Sequence, residues 1–411
     1  MFIRVDPWSL YCFLLTSRTP RLKFLALRTD LHPVSSGKFM RMQSRALRLA
    51  LLVVVVAIAL LHLTTASLGA GNGAPARPAS SVLDQESIPR TPERQARGDY
   101  LVNGALLCFG CHSEVDFSQR PFRPFGGTMG GGFLFPAAEM GLPPGNRIVA
   151  PNISPDPDYG AGKWKDSDFV RALRRGIGHD GRTLFPLMPY EFFRNLSDED
   201  LASVIVYIRS IPPVHVERPK TLLTPALKKA LQPLPPLEHV PEPDKSDRLR
   251  YGQYLVTVGH CEHCHSPVDQ RTFKPLPGMA FAGGEELVGY WGPDTTKLIT
   301  VNSLNLTPSP SGISYMDEAM FIKTLRTGQV QARLLSNIMP WSFFRNLTDD
   351  DLKAIYAYLR TLKPVQHRVD NTEPPGYCKL CRHKHGFGAR NTLAEKPAPV
   401  QPAALRESKR P

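Results

Sequence analysis

The chain has 411 residues, of which 42% are hydrophobic and 21% are charged, so it can fill more than one globular core. Its formal net charge of +13 first suggests a nucleic-acid partner. The first 70 residues, however, hold nine Lys or Arg against Asp6 and Asp30, which gives +7 and leaves only +6 for the rest. Because no basic stripe alternates with aromatic residues, we do not expect the protein to bind nucleic acid.

An export pattern lies at residues 40–76. Three basic residues precede the uncharged apolar run 49–63, and the small and polar stretch 64–76 follows it. The basic residues are Arg41, Arg45 and Arg48. This order is typical of a signal peptide, which makes Met40 or Met42 a natural start and residues 1–39 a spurious extension.

The same segment also has nearly the length of a membrane anchor. The stretch 49–68 carries no charge and approaches the ~20 residues that a bilayer-spanning helix needs. A cleaved signal and a retained anchor therefore both stay open. We expect a periplasmic protein that is either soluble or anchored to the inner membrane by residues 47–68.

One module occurs twice. The stretch Met188–Leu201 recurs 151 residues later as Met339–Leu352, and Gly98-Asp-Tyr-Leu-Val matches Gly252-Gln-Tyr-Leu-Val. A dense set of prolines and charges separates the two copies. We therefore predict four segments after the export pattern. These are a first domain at 92–214, a linker at 215–247, a second domain at 248–366, and a disordered basic and Pro-rich tail at 367–411.

Each module is predicted to close with a helix. Ser197 and Thr348 occupy N-cap positions, and Asp200 and Asp351 three residues later form a capping-box arrangement with Asp in place of Glu. Apolar residues then recur at helical spacing in both copies. They are Leu201, Val204, Ile205 and Ile208 in the first copy, and Leu352, Ile355, Tyr356 and Leu359 in the second. Pro212 and Pro364 are expected to end these helices.

The cysteines carry the chemistry. Residues 108–112 read CFGCH and residues 261–265 read CEHCH. In this CxxCH spacing two thiols form thioethers to one haem while the next residue, His, ligates its iron. Cys108, Cys111, Cys261 and Cys264 are thus the predicted covalent attachments. A zinc site would need about four converging ligands, and a disulfide within each pair would leave the repeated His unexplained.

Haem iron in an electron carrier needs a sixth ligand. The first half offers Met129, Met140, His179 and Met188, and the second offers Met279, Met316, Met320 and Met339. Only Met188 and Met339 occupy the same position in the repeat, each in a Met-Pro loop before the capped helix. We therefore predict His112–Met188 and His265–Met339 as axial pairs, which raise the reduction potential because thioether sulfur favours ferrous iron.

A third cysteine pair does not fit the haem pattern. Residues 378–385 read CKLCRHKH, which places the first His one residue too late for CxxCH. A Met-Pro loop and a closing helix do not follow. We expect either a disulfide between Cys378 and Cys381 or adventitious metal binding with His383 and His385, rather than a third haem.

Both halves resemble class I cytochrome c domains. From about residue 97 to 365 the chain resembles the cytochrome c subunits of membrane-bound alcohol and gluconate dehydrogenases, which usually carry three CxxCH motifs. The resemblance rests on Ala150-Pro-Asn-Ile-Ser-Pro-Asp156, Lys163-Trp164 and Met188-Pro-Tyr190 in the first half. In the second half Asn305-Leu-Thr-Pro-Ser309 replaces the first of these blocks, and Tyr315 is taken to replace Trp164.

The resemblance implies an all-α fold of two tandem class I cytochrome c domains joined by a Pro-rich linker. In such domains the helix before CxxCH crosses the closing helix, so Gly98 is expected against Tyr207, and Gly252 against Tyr358. It also implies two haem c groups with the covalent and axial residues named above.

The implied function is electron transfer, with no catalytic residues in the chain itself. The expected partners are redox proteins: a periplasmic dehydrogenase as donor, and an oxidase, quinone or soluble cytochrome of a respiratory chain as acceptor. The alternative is a dihaem enzyme, either a peroxidase or a sulfur-compound dehydrogenase. A peroxidase needs one iron with an open or displaceable ligand, whereas the repeated Met predicts two closed ones.

Overall fold

Matching sets of helices form the two halves of the chain. The computed structural model describes residues 2–3 and 81–392, except 117–118, 126, 136–141, 238, 270–273 and 291–297. The predicted export segment at 40–76 lies outside the described residues, as do almost all of 1–39. None of the described helices has the length and apolar character to cross a lipid bilayer.

The first half contains five helices in its described residues. They are α1 Pro92–Val102, α2 Cys108–Cys111, α3 Asp166–Arg175, α4 Tyr190–Phe193 and α5 Asp198–Ile208. A short helix, α6 Pro225–Ala230, follows in the predicted linker. The second half repeats the order with α7 Arg248–Val258, α8 Cys261–His265, α9 Glu318–Thr327, α10 Trp341–Phe344 and α11 Asp349–Thr361. Both closing helices end before their prolines, as predicted.

Short antiparallel strands supplement the helices. In the first half they are β2 Val115–Asp116 with β3 Arg123–Pro124, and β4 Phe133–Phe135 with β5 Ile148–Ala150. In the second half β6 Glu286–Tyr290 pairs with β7 Leu298–Asn302 and with β1 Phe2–Ile3, and β8 Gln329–Val330 pairs with β9 Arg333–Leu334. In the tail β10 Pro375–Tyr377 pairs with β11 Lys384–Gly386. The fold is helix-rich, as the sequence predicted, and these pairs were not predicted.

In each half the first helix crosses the closing helix at a glycine. A Cβ at Gly98 would overlap the carbonyl oxygen of Ser203 in α5 and lie 2.5 Å from Cβ of Tyr207. In the second half a Cβ at Gly252 would overlap the carbonyl of Ala354 in α11. The structure thus confirms both predicted helix crossings, and only glycine permits this approach without displacement.

One apolar core runs through both halves. Leu101, Leu201 and Ile205 belong to the same buried cluster as Leu255 and Leu352. The predicted linker also contributes, because Leu223 and Leu227 on either side of the start of α6 are buried against Phe135. Part of the predicted linker is therefore buried in the structure. The domain boundaries themselves stay a prediction.

The predicted disordered tail is partly wrong. Residues 367–392 are folded, with the hairpin β10–β11 and with Cys378 and Cys381 fully buried. These thiols pack against Leu276, Met279 and Ala282 of the second half. The tail contributes its own buried apolar side chains, which its high content of Pro, Lys and Arg does not reveal. Residues 393–411 lie outside the described residues.

Candidate functional site

The first of two cavities carries the predicted residues of the first half. It is lined by Cys108, Cys111, His112 and Met188. Helix α2 is one turn long and begins and ends with the two cysteines, so both thiols lie on one side of the turn. Both are free, so no disulfide joins them. Burial raises the pKa of Cys108 to about 12, which keeps this thiol neutral.

The backbone fixes the ring of His112. Its Nδ1 lies 2.9 Å from the carbonyl oxygen of Pro151, and because a carbonyl only accepts, Nδ1 carries the proton and donates. The other nitrogen, Nε2, then keeps the lone pair with which a neutral imidazole ligates a metal. Burial lowers the pKa of His112, which favours this neutral form.

The second cavity repeats the first. Cys261, Cys264, His265 and Met339 line it, and both cysteines are free. Nδ1 of His265 lies 2.7 Å from the carbonyl oxygen of Leu304, which is 39 residues further on, as Pro151 is from His112. Each cavity therefore brings together two thiols, one oriented neutral imidazole and one thioether.

The two methionines lie in identical turns. The amide of Met188 donates to the Phe185 carbonyl at 3.1 Å, and its carbonyl accepts from the Tyr190 amide at 2.8 Å. Met339 makes the equivalent bonds at the same two lengths. The repeat of sequence is therefore a repeat of backbone geometry at the predicted sixth-ligand position.

Two asparagines bind the segment that follows each closing helix, and the sequence did not predict this role. Asn152 Nδ2 donates to the Val214 carbonyl at 2.7 Å, and Asn305 Nδ2 donates to the Val365 carbonyl at 2.8 Å. Each asparagine directly follows the residue whose carbonyl orients a cavity histidine. They lie in the sequence blocks that carry the family resemblance, and their repeated position was the available signal.

The other ligand candidates divide between cavity walls and other places. His179 lines the first cavity and stacks on Trp164 with ring centroids 4.2 Å apart, and Met316 lines the second. Met129 is exposed, whereas Met279 packs against the tail cysteines. The remaining candidates are Met320, which packs against the main core, and Met140, which lies outside the described residues.

The predicted match of Tyr315 to Trp164 is wrong. Trp164 and Met316 each lie two residues before the first residue of the equivalent helices α3 and α9. Met316 is buried and Tyr315 is exposed. Met316 therefore takes the place of Trp164 in the wall of the second cavity.

The two cavities share a wall. His260, the residue before the second CxxCH motif, lines both cavities, and His263 of that motif lines the first. The His263 ring meets Phe192 edge-on with centroids 5.5 Å apart. Burial lowers the pKa of His260 to about 3 and that of His263 to about 4, so both rings are neutral. A segment of the second site thus forms part of the first.

The tail cysteines form no disulfide, and the predicted ligand set is partly wrong. Cys378 and Cys381 are free, and they converge with His385 and with His367, which the sequence did not indicate. His383 is directed elsewhere: its Nε2 donates to the Val268 carbonyl at 2.8 Å. His367 was missed because it lies well before the cysteine pair in the sequence.

No protein-family model matches the chain. Curated relatives do. The cytochrome c subunit of a quinone alcohol dehydrogenase from Gluconacetobacter polyoxogenes is 28% identical over 70% of this chain and 60% of its own length. The fructose dehydrogenase cytochrome subunit of Gluconobacter japonicus is 30% identical over 73% of this chain and 58% of its own length.

A third relative is shorter. A diheme cytochrome c-type protein of Cereibacter sphaeroides is 28% identical over 71% of this chain and 92% of its own length. The homologues of this chain are c-type cytochromes. They include cytochrome c subunits of alcohol, fructose and gluconate dehydrogenases. This chain spans about 60% of the length of each of these subunits. Such relatives imply haem c and electron transfer.

Proposed function

We propose that the chain is an electron-transfer protein that carries two covalently bound haem c groups and accepts electrons from a dehydrogenase. The observation that supports this most is the repeated donor set: two free thiols, an imidazole Nε2 with its lone pair available, and a thioether line each cavity. This set fits c-type haem attachment, and the diheme relative matches nearly along its whole length.

The chain's residues would divide the work in the same way in both halves. Cys108 and Cys111, and likewise Cys261 and Cys264, would hold the cofactor covalently. His112 with Met188, and His265 with Met339, would ligate the two irons. When bound, haem c supplies one-electron exchange at its iron. The thioether sulfur favours the ferrous state, so we expect relatively high reduction potentials.

The cavity walls suit a carrier more than an enzyme. Apolar side chains such as Phe169 and Leu173 in the first cavity, and Phe321 and Leu325 in the second, limit the access of water. Ligation by protein on both faces would leave no open position for a substrate. Because His260 lines both cavities, we propose that electrons pass between the two sites inside one chain.

The donor and the location are proposed from the relatives and the sequence. Several relatives are named as cytochrome subunits of sugar, alcohol or gluconate dehydrogenases. We therefore propose a dehydrogenase as the electron donor, with an oxidase, quinone or soluble cytochrome as acceptor. The basic and apolar pattern at 40–76 supports a periplasmic location, soluble or anchored at 47–68.

Haem counting and ligand substitution test the proposal together. Protein purified with its haem should contain two haem c per chain by the pyridine haemochrome assay, both low-spin, with a sulfur-to-iron charge-transfer band. Met188→Ala and Met339→Ala should each remove about half of that band's intensity, because each removes one thioether ligand.

Met316→Ala is the matched control, since Met316 lines the second cavity without occupying the repeated position. It should leave the charge-transfer band intact. Loss of the band in Met316→Ala but not in Met339→Ala would contradict the ligand assignment. A haem content of one per chain would contradict the two-haem proposal. A high-spin haem in the unaltered protein would contradict the carrier proposal and favour a dihaem enzyme.

A further inference from the structure

A second kind of site lies in the folded tail. The Sγ atoms of Cys378 and Cys381 and ring nitrogens of His367 and His385 all lie within 4.8 Å of one another. Each of the four side chains is 0% exposed. Both thiols are free. The proposed electron-transfer function uses none of these residues.

The two imidazoles face each other with atoms that repel. Nδ1 of His367 lies 2.8 Å from the Ala282 carbonyl oxygen, and Nδ1 of His385 lies 2.9 Å from the Gly386 carbonyl oxygen. Because carbonyls only accept, both Nδ1 atoms carry protons. Two rings that each carry only this proton present their Nε2 lone pairs to each other, and these two Nε2 atoms are 3.1 Å apart. The arrangement needs a cation between them.

Charge balance favours a divalent metal ion over a shared proton. A proton between the rings would bury one uncompensated positive charge, which is costly in an apolar interior. A divalent ion held by two thiolates and two neutral imidazoles has no net charge. The site is therefore electrostatically acceptable in a fully buried position only when both cysteines are deprotonated ligands.

The distances match the edges of a tetrahedron around one ion. With bonds of about 2.0–2.1 Å to nitrogen and about 2.3 Å to sulfur, neighbouring ligand atoms around zinc lie about 3.3–3.8 Å apart. The Nε2 atoms of His367 and His385 are 3.1 Å apart, and Cys378 Sγ lies 3.4 Å from Nε2 of His367. The group is thus near its bonded geometry and too small for a larger cluster.

Local backbone structure presents the ligands. The Arg382 amide donates to the Cys378 carbonyl at 2.9 Å, and Arg382 adopts a left-handed φ of 62°, so the CxxC segment closes into a tight turn. The hairpin β10–β11 pairs His385 with Gly376 and returns the chain to this turn. The spacing C-x2-C is typical of structural zinc sites, and His385 follows Cys381 after three residues.

The second half of the molecule positions the ligand His367 and leaves space for the group. The carbonyl of His367 accepts from Asn305 Nδ2 at 3.0 Å, so the asparagine that binds the segment after the closing helix also positions this ligand. A Cβ at Gly284 would lie 2.8 Å from Cε1 of His367 and 3.2 Å from Sγ of Cys381. A glycine at this position leaves room for the ligand group.

We infer that His367, Cys378, Cys381 and His385 bind one Zn²⁺ ion at a structural site. Sulfur and imidazole ligands in tetrahedral arrangement suit zinc rather than calcium or magnesium. All four coordination positions come from the protein, as in structural sites, whereas a catalytic zinc keeps one position for water or substrate.

The position of the proposed zinc site indicates a structural role. Residues 369–372, between His367 and Cys378, line the second cavity. The zinc ion joins the two ends of this segment, at His367 and Cys378, and so holds one wall of the cavity. This role in holding the cavity wall rests on the proposed haem function, whereas the metal site itself does not.

Metal analysis of the full-length protein, produced in cells that attach haem c, tests the inference. Inductively coupled plasma mass spectrometry, with protein measured by amino-acid analysis, should find one zinc per chain after dialysis against EDTA. X-ray absorption at the zinc edge should show two sulfurs at about 2.3 Å and two nitrogens at about 2.0–2.1 Å. Iron measured in the same sample tests the proposed function separately, since zinc without iron would uphold the one and overturn the other.

Substitutions sharpen the assignment. His367→Gln and Cys381→Ser should lose the zinc, whereas His383→Gln, a buried histidine outside the group, should retain it. Zinc-free protein with a Cys378–Cys381 disulfide in non-reducing mass spectrometry would overturn the inference, and so would zinc coordinated without sulfur. The unaltered protein decides both points even if a variant fails to fold.

Discussion

In both halves an equivalent asparagine binds the segment that follows the closing helix, but the two cavity walls are completed in different ways. In the first half, Gly131 offers its carbonyl oxygen to Nε of Arg218 at 2.9 Å, and Arg218 also pairs with Glu114. At the equivalent place in the second half, the Ala282 carbonyl accepts from Nδ1 of His367. A surface ion pair in one copy of the module is thus replaced by a buried ligand group in the other.

This difference shows what the chain between and after the modules does. Thr221 of the predicted linker lines the first cavity, and residues 369–372 of the predicted tail line the second. Each cavity is therefore closed by the segment that follows its module. The first closing segment continues into another module, whereas the second is fastened by the cysteine and histidine group.

The largest expected effect tests whether the walls of the two cavities are held independently. Cys381→Ser should release the wall of the second cavity alone, so that after reduction one of the two haems binds carbon monoxide while the unaltered protein binds little. The reason is that residues 369–372 then lose their fixed ends, whereas the first cavity keeps Arg218. Absorption spectra titrated with carbon monoxide measure this.

Lys379→Ser is the control, because this exposed residue lies between the two cysteines without contributing a ligand. It should leave carbon monoxide binding unchanged. Equal binding at both haems in Cys381→Ser would show that the closures are not independent.

The next effect tests where the halves are alike. Gly98→Ala and Gly252→Ala should each lower the free energy of unfolding by about 1–3 kcal/mol, because the new methyl group overlaps a carbonyl of the crossing helix. In an isolated helix the same change would stabilise by about 1 kcal/mol. The sign of the change in unfolding free energy, measured with denaturant, therefore distinguishes the two cases. A gain in stability would contradict the close helix crossing.

What the sequence could predict follows from the range of the interactions. The repeat, the thiol spacing, the Met-Pro loops and the helix N-cap residues are local patterns, and the structure shows them at matching positions in the two halves. His367 was missed because its partners follow it by more than ten residues. The cavity walls at 221 and 369–372 were missed because composition alone does not show which segments return to the core.

The capping boxes show the same limit in one detail. Ser197 Oγ accepts from the Asp200 amide at 3.0 Å, and Thr348 Oγ1 accepts from the Asp351 amide at 3.2 Å, as predicted. The return bond is different. A tyrosine hydroxyl from the other half stands between the cap amide and the carboxylate: Tyr254 at the first helix and Tyr100 at the second.

These tyrosines give the most discriminating prediction, because it concerns a difference of about 1–2 kcal/mol between two variants. Tyr254→Phe leaves Asp200 paired with Arg97 at 2.7 Å, so it should cost about 1 kcal/mol of unfolding free energy. Tyr100→Phe removes the hydroxyl that donates to Asp351 at 2.6 Å, and Tyr251 occupies the place equivalent to Arg97, so the cost should rise to about 2–3 kcal/mol.

Denaturant unfolding of both variants, with Tyr159→Phe at an exposed site as control, measures the difference. Equal costs would mean that Arg97 contributes nothing to its helix cap. A larger cost for Tyr254→Phe would mean that the greater burial of its site outweighs the ion pair. The expected order makes the second helix cap depend more on the opposite half, because Tyr251 stands where the first cap has Arg97 to pair with the carboxylate.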